Sequence, residues 1–322
     1  MRKNVNTEHI EGRVYQHSLE LKTVSNQSSK NFGKQFINGT IEVATDEAGL
    51  NVVPVKFLYV TETTSKGGKN KTYSELMKLM TSGKTWITDG AAEATKVSID
   101  TSLALNDFVA SDDTMVSAKE NQGGFVTIVG ELKEDPAARS TFRTDIVITG
   151  FQRVEANPEK NISEDYGLIR GAVFDFRNAL LPVEFHVRNP LAIDYFENLD
   201  ITGAEPMYTQ VWGTIVNKTE SYNTTVESAF GGPAVDTRER KVREWLVTGA
   251  LKVPYDFGDE KVMTAEELTK ASQDRQVHLA EVRKQREEYL AQKNANATAN
   301  AGGNAFPTAP TATAAPVGKF NF

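Results

Sequence analysis

Cysteine is absent from this chain of 322 residues. That absence excludes disulfides, thiolate chemistry and zinc sites built on Cys ligands. It also fits a cytosolic protein. Histidine is scarce: His9, His17, His186 and His278 are scattered without metal-ligand spacing, so no metal site is expected. Long apolar runs are missing as well. No stretch approaches the ~18 apolar residues needed to span a bilayer. The opening MRKNVNTEHI has no apolar core, so no signal peptide and no membrane contact are expected. An excess of basic charge is also lacking. The formal charge of −7 excludes a uniformly cationic DNA-coating protein, but a local basic groove can still sit on an acidic molecule.

Catalytic patterns are equally sparse. Ser65-Lys66-Gly67-Gly68-Lys69 lacks the spacing of a phosphate-binding P-loop. No Ser/His/Asp order sits on a nucleophile elbow, and no carboxylates pair in an apolar setting. The expectation is a protein that is not an enzyme and needs no cofactor.

What is present is strand-like text. From Phe36 to Pro254, short runs of Val, Ile, Phe and Thr alternate with Gly, Asn, Asp and Pro. Residues 1–35 are polar and read as an N-terminal extension. After Asp259 the pattern becomes helical, with Thr264 as cap and Glu267 at the capping-box position, over about 262–293. Its thin apolar stripe (Leu268, Val277, Leu279, Val282, Leu290) reads as a solvated or partner-binding helix. Residues 294–322 are Ala, Asn, Thr, Gly and Pro, a composition too poor in apolar area to offset chain entropy, and read as a disordered tail dispensable for ligand binding.

The strand region reads as a duplication. Ile37–Ile41 matches Ile169–Val173, and Val53–Phe57 matches Leu181–Phe185. Ile128–Leu132 matches Val211–Ile215, and Asp145–Gly150 matches Glu244–Gly249. Helix candidates lie at Tyr73–Met80, inside a segment at about 61–120 that reads as an insertion, and at Leu191–Leu199 after Asn189-Pro190. Glycines inside the strand patterns (Gly39, Gly130, Gly171, Gly213) mark bulges or bends. Two strands, a helix and two more strands, twice over, predict a mainly all-β chain with two tandem OB-type Greek-key barrels, at about 36–154 and 166–254.

At Pro182–Ile215 the sequence resembles the strand–helix–strand centre of bacterial and phage single-stranded-DNA-binding proteins. Gly124–Gly150 resembles their last two strands and connecting hairpin, and the tail ending in Phe322 is similar to theirs. The resemblance covers about two thirds of the chain. It implies a non-sequence-specific protein of phage DNA replication or recombination in the bacterial cytoplasm. Its ligand would be single-stranded DNA, with RNA left open. Family tails are acidic before the final phenylalanine, whereas this one has Lys319 and no acid. Phe320 and Phe322 would then be the groups that dock into replication or recombination proteins.

Single-strand binding needs cations for phosphates and flat rings for bases. The long last hairpin, about Asn217–Lys241, carries Tyr222 and Phe230 and runs into Arg238-Glu239-Arg240-Lys241-Val242-Arg243. This run reads either as a phosphate contact or as a charged, guarded strand edge. Lys133, Arg139 and Arg143 in the shorter hairpin, and Lys66, Lys69 and Lys71 in the glycine-rich loop, carry the same two readings. Strand parity turns Trp212 away from Val211 and Ile215, making it a stacking candidate, and turns Trp245, Phe57 and Phe185 into the core. The competing function is a virion structural or assembly protein built from the same barrels, since fold does not fix function.

Overall fold

The computed structural model describes residues 4–157, 162–226, 230, 232, 234–257 and 263–301. The strands are β1 (Asn6–His17), β2 (Glu20–Thr23), β3 (Gln35–Ala44), β4 (Val52–Thr61), β5 (Lys96–Val109), β6 (Met115–Ile128), β7 (Ser140–Val154), β8 (Tyr166–Phe174), β9 (Leu180–Val187), β10 (Met207–Val226) and β11 (Ala234–Ala250). The helices are α1 (Lys71–Ser82), α2 (Trp86–Asp89), α3 (Pro190–Glu197) and α4 (Ala265–Ala301).

The hydrogen-bonded sheet closes on itself twice. β1 pairs with β3, β3 with β4, β4 in parallel with β6, β6 with β5, and β5 again with β1. β7, β8, β9, β11 and β10 repeat that circuit, with β9 and β11 the parallel pair. Each circuit carries a helix between its third and fourth strands, α1 in the first and α3 in the second. These are two OB-type Greek-key barrels. Alternation builds their interiors. On β9, Leu181, Val183, Phe185 and Val187 are buried while the residues between them are not. Phe57, Phe185 and Trp245 lie wholly inside, as parity predicts. The helices plug the barrels by spacing: Thr72, Leu76 and Leu79 of α1 share one buried face, as do Ile193 and Phe196 of α3. Asn70 and Asn189 cap them, with Pro190 at the first turn of α3.

Several boundaries differ from the sequence reading. The first barrel begins at β1, inside the supposed extension, and the supposed insertion holds α1, β5 and the start of β6. β1 is hard to recognise because its inward row includes Gly12, whose missing side chain lets the Ala44 carbonyl approach. Gly124–Gly150 is not a terminal hairpin. It contains the end of β6, a connection, and β7, the first strand of the second barrel. Of the four repeat matches, Ile37–Ile41 with Ile169–Val173 and Val53–Phe57 with Leu181–Phe185 fall on corresponding strands. The other two do not: Ile128–Leu132 leaves β6 where Val211–Ile215 lies within β10, and Asp145–Gly150 is on β7 where Glu244–Gly249 is on β11. Short apolar alternations match any strand to any other, so register alone could not reject them. Gly39 and Gly171 each let a backbone carbonyl, of Ser18 or Val147, pass where a Cβ would stand; Gly130 lies past the end of β6 with open space around it.

The barrels are joined through their first strands. β1 pairs antiparallel with β7, setting Ile10 opposite Ser140. Each long hairpin then reaches the other barrel's third strand. The Lys119 ammonium on β6 donates to the Glu184 carbonyl on β9 (2.6 Å). The Asn217 amide on β10 donates to the Val52 carbonyl on β4, and its backbone N–H donates to Asn51 Oδ1 (2.6 Å). At the centre, Trp245 Nε1 donates to the buried carboxylate of Glu8 (2.8 Å).

α4 opens on the expected capping box: Glu267 N–H donates to Thr264 Oγ1 and Thr264 N–H to Glu267 Oε2. The helix is neither free nor short. It remains helical to Ala301, past the expected end, and docks on the β5–β6 hairpin. Arg275 and Asp107, both buried, meet in two hydrogen bonds of 2.5 and 2.6 Å. The docking face (Leu268, Ala271, Arg275, Leu279) is centred on an ion pair, so a search for apolar periodicity undervalues it; Val277, placed in the expected stripe, points to solvent. The tail beyond 301, with Phe320 and Phe322, lies outside the described residues. Among the described residues no helix is long and apolar enough to cross a membrane, and no cluster of three or more His, Asp or Glu side chains could hold a metal ion.

Candidate nucleic-acid interface

In an OB barrel the ligand lies across strands two and three, between the first and last hairpin loops. In the second barrel this is the outward face of β8 and β9, flanked by β11. A cavity of about 240 Å³ sits there, lined by Tyr166, His186, Arg188, Lys241 and Arg243 among others. Parity positions these groups: His186 alternates with the buried Phe185 and Val187, and Tyr166 precedes the inward row of β8. The Tyr166 and His186 rings lie 5.6 Å apart, and the Arg188 guanidinium lies 5.8 Å from the Tyr166 ring. Arg188 is held by a bidentate contact to Glu244 (2.8 and 3.0 Å) and by Glu164 (3.0 Å). Desolvation pulls the His186 pKa below its ordinary value, against the pull of Glu244, so the ring is neutral at pH 7. Lys241 is exposed; Arg243 is exposed along its stem, but its guanidinium leans in over Trp245, where burial pulls its pKa down. Neither forms an ion pair within 4 Å among the described residues. Arg170 stands farther along β8, on Glu184 (3.1 Å).

Beneath this face, Trp245 is bracketed by cations. Lys119 Nζ is 4.7 Å and the Arg243 guanidinium 5.6 Å from its ring centroid. Burial lowers the Lys119 pKa to about 8. Burial also raises Glu8 to about 7, although the bonds from Trp245 and Thr101 and the charge of Arg243 favour its ionised form.

The corresponding face of the first barrel is less cationic. Lys56 on β4 is paired with Glu120 (2.9 Å), and Leu58 follows it outward. The Phe36 and Tyr59 rings meet at 4.7 Å near the far end of β4. Lys66, Lys69 and Lys71 are exposed in and just after the loop that leaves that end, without ion pairs among the described residues.

The structure does not gather all the sequence candidates into one place. Trp212 turns away from the core as expected, yet it is half-buried and lines a different groove, at the seam of the two barrels, with Arg143, His9 and Phe125. Its indole lies against Gly249, and the Arg143 guanidinium is 5.7 Å from its ring. Arg139 is a correction. It is 4% exposed, holds Glu47 (2.7 Å) and the carbonyls of the inter-barrel connection, and cannot face a phosphate. Lys133, in the same connection, has its backbone N–H on Glu11. On the long hairpin, Tyr222 stands opposite Arg238, which pairs with Asp236, while Arg240 pairs with Glu220. Phe230, near the hairpin tip, is 94% exposed. Tyr166, His186 and Arg188 were missed by the sequence reading. Their signal was present, because residues alternating with the core positions Val183 and Phe185 must face outward.

The sequence pattern that defines the family described as YorF matches residues 4–285. Among solved structures, the chain is similar to a deletion mutant of the single-stranded DNA binding protein from Thermus aquaticus. The identity is 12% and the TM-score 0.45, over 80% of this chain and 98% of that one. No curated protein matches the sequence.

Proposed function

This chain belongs to the YorF family, and we propose that it binds single-stranded DNA without sequence preference through the outward β8–β9 face of its second barrel. One observation carries the proposal. The face where OB barrels hold their ligands combines two adjacent rings, Tyr166 and His186, with Lys241, which has no ion pair among the described residues, and with Arg243 at its edge, leaning over Trp245. Stacking accepts any base, and phosphate contacts carry no base information, so such a face binds strands of any sequence. Protection of strands during phage DNA replication or recombination, in the host cytoplasm, is the role we infer from that chemistry.

The test is a mobility shift of labelled oligo(dT) at ~50 mM salt, with duplex as competitor. Binding should weaken with salt at a log–log slope near −0.7 per neutralised phosphate. Replacing Lys241 and Arg243 by Ala together should flatten the slope by about 1.4 and weaken all sequences alike. Equal competition by duplex would count against the proposal. Absence of any binding would favour the second reading, an assembly module. That reading rests on Leu191, Tyr195 and Leu199, an exposed apolar row along α3 and the residues after it.

A further inference from the structure

The turn between β8 and β9 holds an aromatic ring largely in solvent, at the rim of a cavity under α4. Phe176 is 77% exposed, although its neighbour Phe174 is fully buried. The turn beneath it is closed by hydrogen bonds. Asp175 Oδ1 accepts the backbone N–H of both Arg177 and Ala179 (2.8 Å each). Asn178 adopts a left-handed conformation (φ 62°), and its side chain accepts a bond from Asn4 (3.1 Å). A turn already ordered by its own hydrogen bonds presents the ring with little further entropy to lose when a ligand stacks on it. Arg177 lies over the ring, 4.9 Å from its centroid, and has no ion pair among the described residues. Beside the ring a cavity of about 280 Å³ opens under α4, between Leu105, Gln122 and Leu180.

Resting on the single-strand reading above, we infer that this turn is a second contact for the same strand. An unpaired base stacks on Phe176 while Arg177 meets the adjoining phosphate. The turn lies at the opposite end of β8 and β9 from Tyr166, with Arg170 between them. At about 3.3 Å per residue, the nine residues of β8 separate the two contacts by up to ~30 Å. One strand following β8 and β9 therefore passes Tyr166, Arg170 and Phe176 in turn. A flat ring beside an unpaired cation suits a base and its phosphate, because every base offers a π-face and every linkage a charge.

The full chain is titrated with oligo(dT) of ~8 and ~30 nucleotides, lengths chosen around the span of one OB site. Phe176→Ala should weaken the long oligonucleotide about 10-fold and the short one less than twofold, since the short one can sit wholly at Tyr166. Arg177→Ala should lower the salt slope for the long strand by about 0.7. If both variants bind the long strand like the unaltered chain while the Lys241/Arg243 double variant does not, the inference falls and the β8–β9 face stands. If the unaltered chain binds neither length, both fall. Both side chains are exposed, so neither change threatens the fold, and matching thermal transitions would confirm it.

Discussion

Glu8 is the residue at which burial and the seam between the barrels meet most directly. It lies in the first barrel, accepts from Trp245 of the second, and has a pKa of about 7 because burial disfavours its charge. The folded chain therefore holds a proton on Glu8 more tightly than the unfolded chain. Its contribution to stability is complete below the ordinary carboxylate range and is lost as pH rises through about 7. Glu8→Gln should leave the melting temperature at pH 5 nearly unchanged and raise it at pH 7.5. The expected gain is on the order of 2–3 kcal/mol, at 1.36 kcal/mol per pKa unit. Lys119, held near 8, begins to lose its proton only at the top of that window, and does so in both proteins. Equal melting curves for the two proteins at both pH values would show that Glu8 ionises freely. Residues of this kind are hard to find in sequence. Core positions such as Phe57, Phe185 and Trp245 are legible because alternation betrays them. A buried acid such as Glu8, or a buried cation such as Arg139, looks like surface until its partner on a distant strand is known. Distance in sequence hid those partners, 237 residues away for Glu8 and 92 for Arg139.

Among the elements, α4 illustrates how one ion pair can decide a docking. Exposed pairs along this helix, such as Lys270–Asp274 and Lys284–Glu288, contribute at most about 1 kcal/mol each. Arg275–Asp107 is different, because both partners are buried; removing one strands the other, at a cost of about 3–5 kcal/mol. Burial opposes the charge on Asp107, yet Arg275 and Ser117 hold its pKa below the usual range, so the lock is present at neutral pH and weakens only as acid protonates it. Asp107→Asn should release α4 without unfolding the barrels. Hydrogen exchange should then show residues 265–293 losing protection while β7–β9 keep theirs. Unchanged protection in the helix would mean that its apolar contacts suffice. The start of α4 was legible from its capping box, α3 from the Asn189-Pro190 ahead of it and α1 as a helix candidate, and β3, β4, β8 and β9 from their alternation. β1 and β5 were not, since polar residues and a glycine interrupt their inward rows and only pairing in three dimensions makes them strands.

At the scale of the whole molecule, the two barrels behave as one body. β1 contributes to the first barrel and to the seam, so a chain beginning at residue 36 loses a wall of one barrel and the acid facing Trp245 of the other. Such a chain should show no cooperative thermal transition by circular dichroism; a normal melt would mean that residues 1–35 are a mere extension after all. The antiparallel pairing of the two first strands, with each hairpin clasping the opposite barrel, is the contact pattern of a symmetric dimer written into one polypeptide. In a true dimer every substitution lands twice, and both copies must tolerate it. Covalent joining lifts that constraint and lets the halves specialise. The third strand of one barrel turns Glu184 and His186 outward, with Arg188 just past its end, while that of the other turns out Lys56 and Leu58. Corresponding clasps are now a lysine on one side and an asparagine on the other. One half can hold a ligand while its sibling keeps the frame, an apportioning of labour that identical subunits could not evolve.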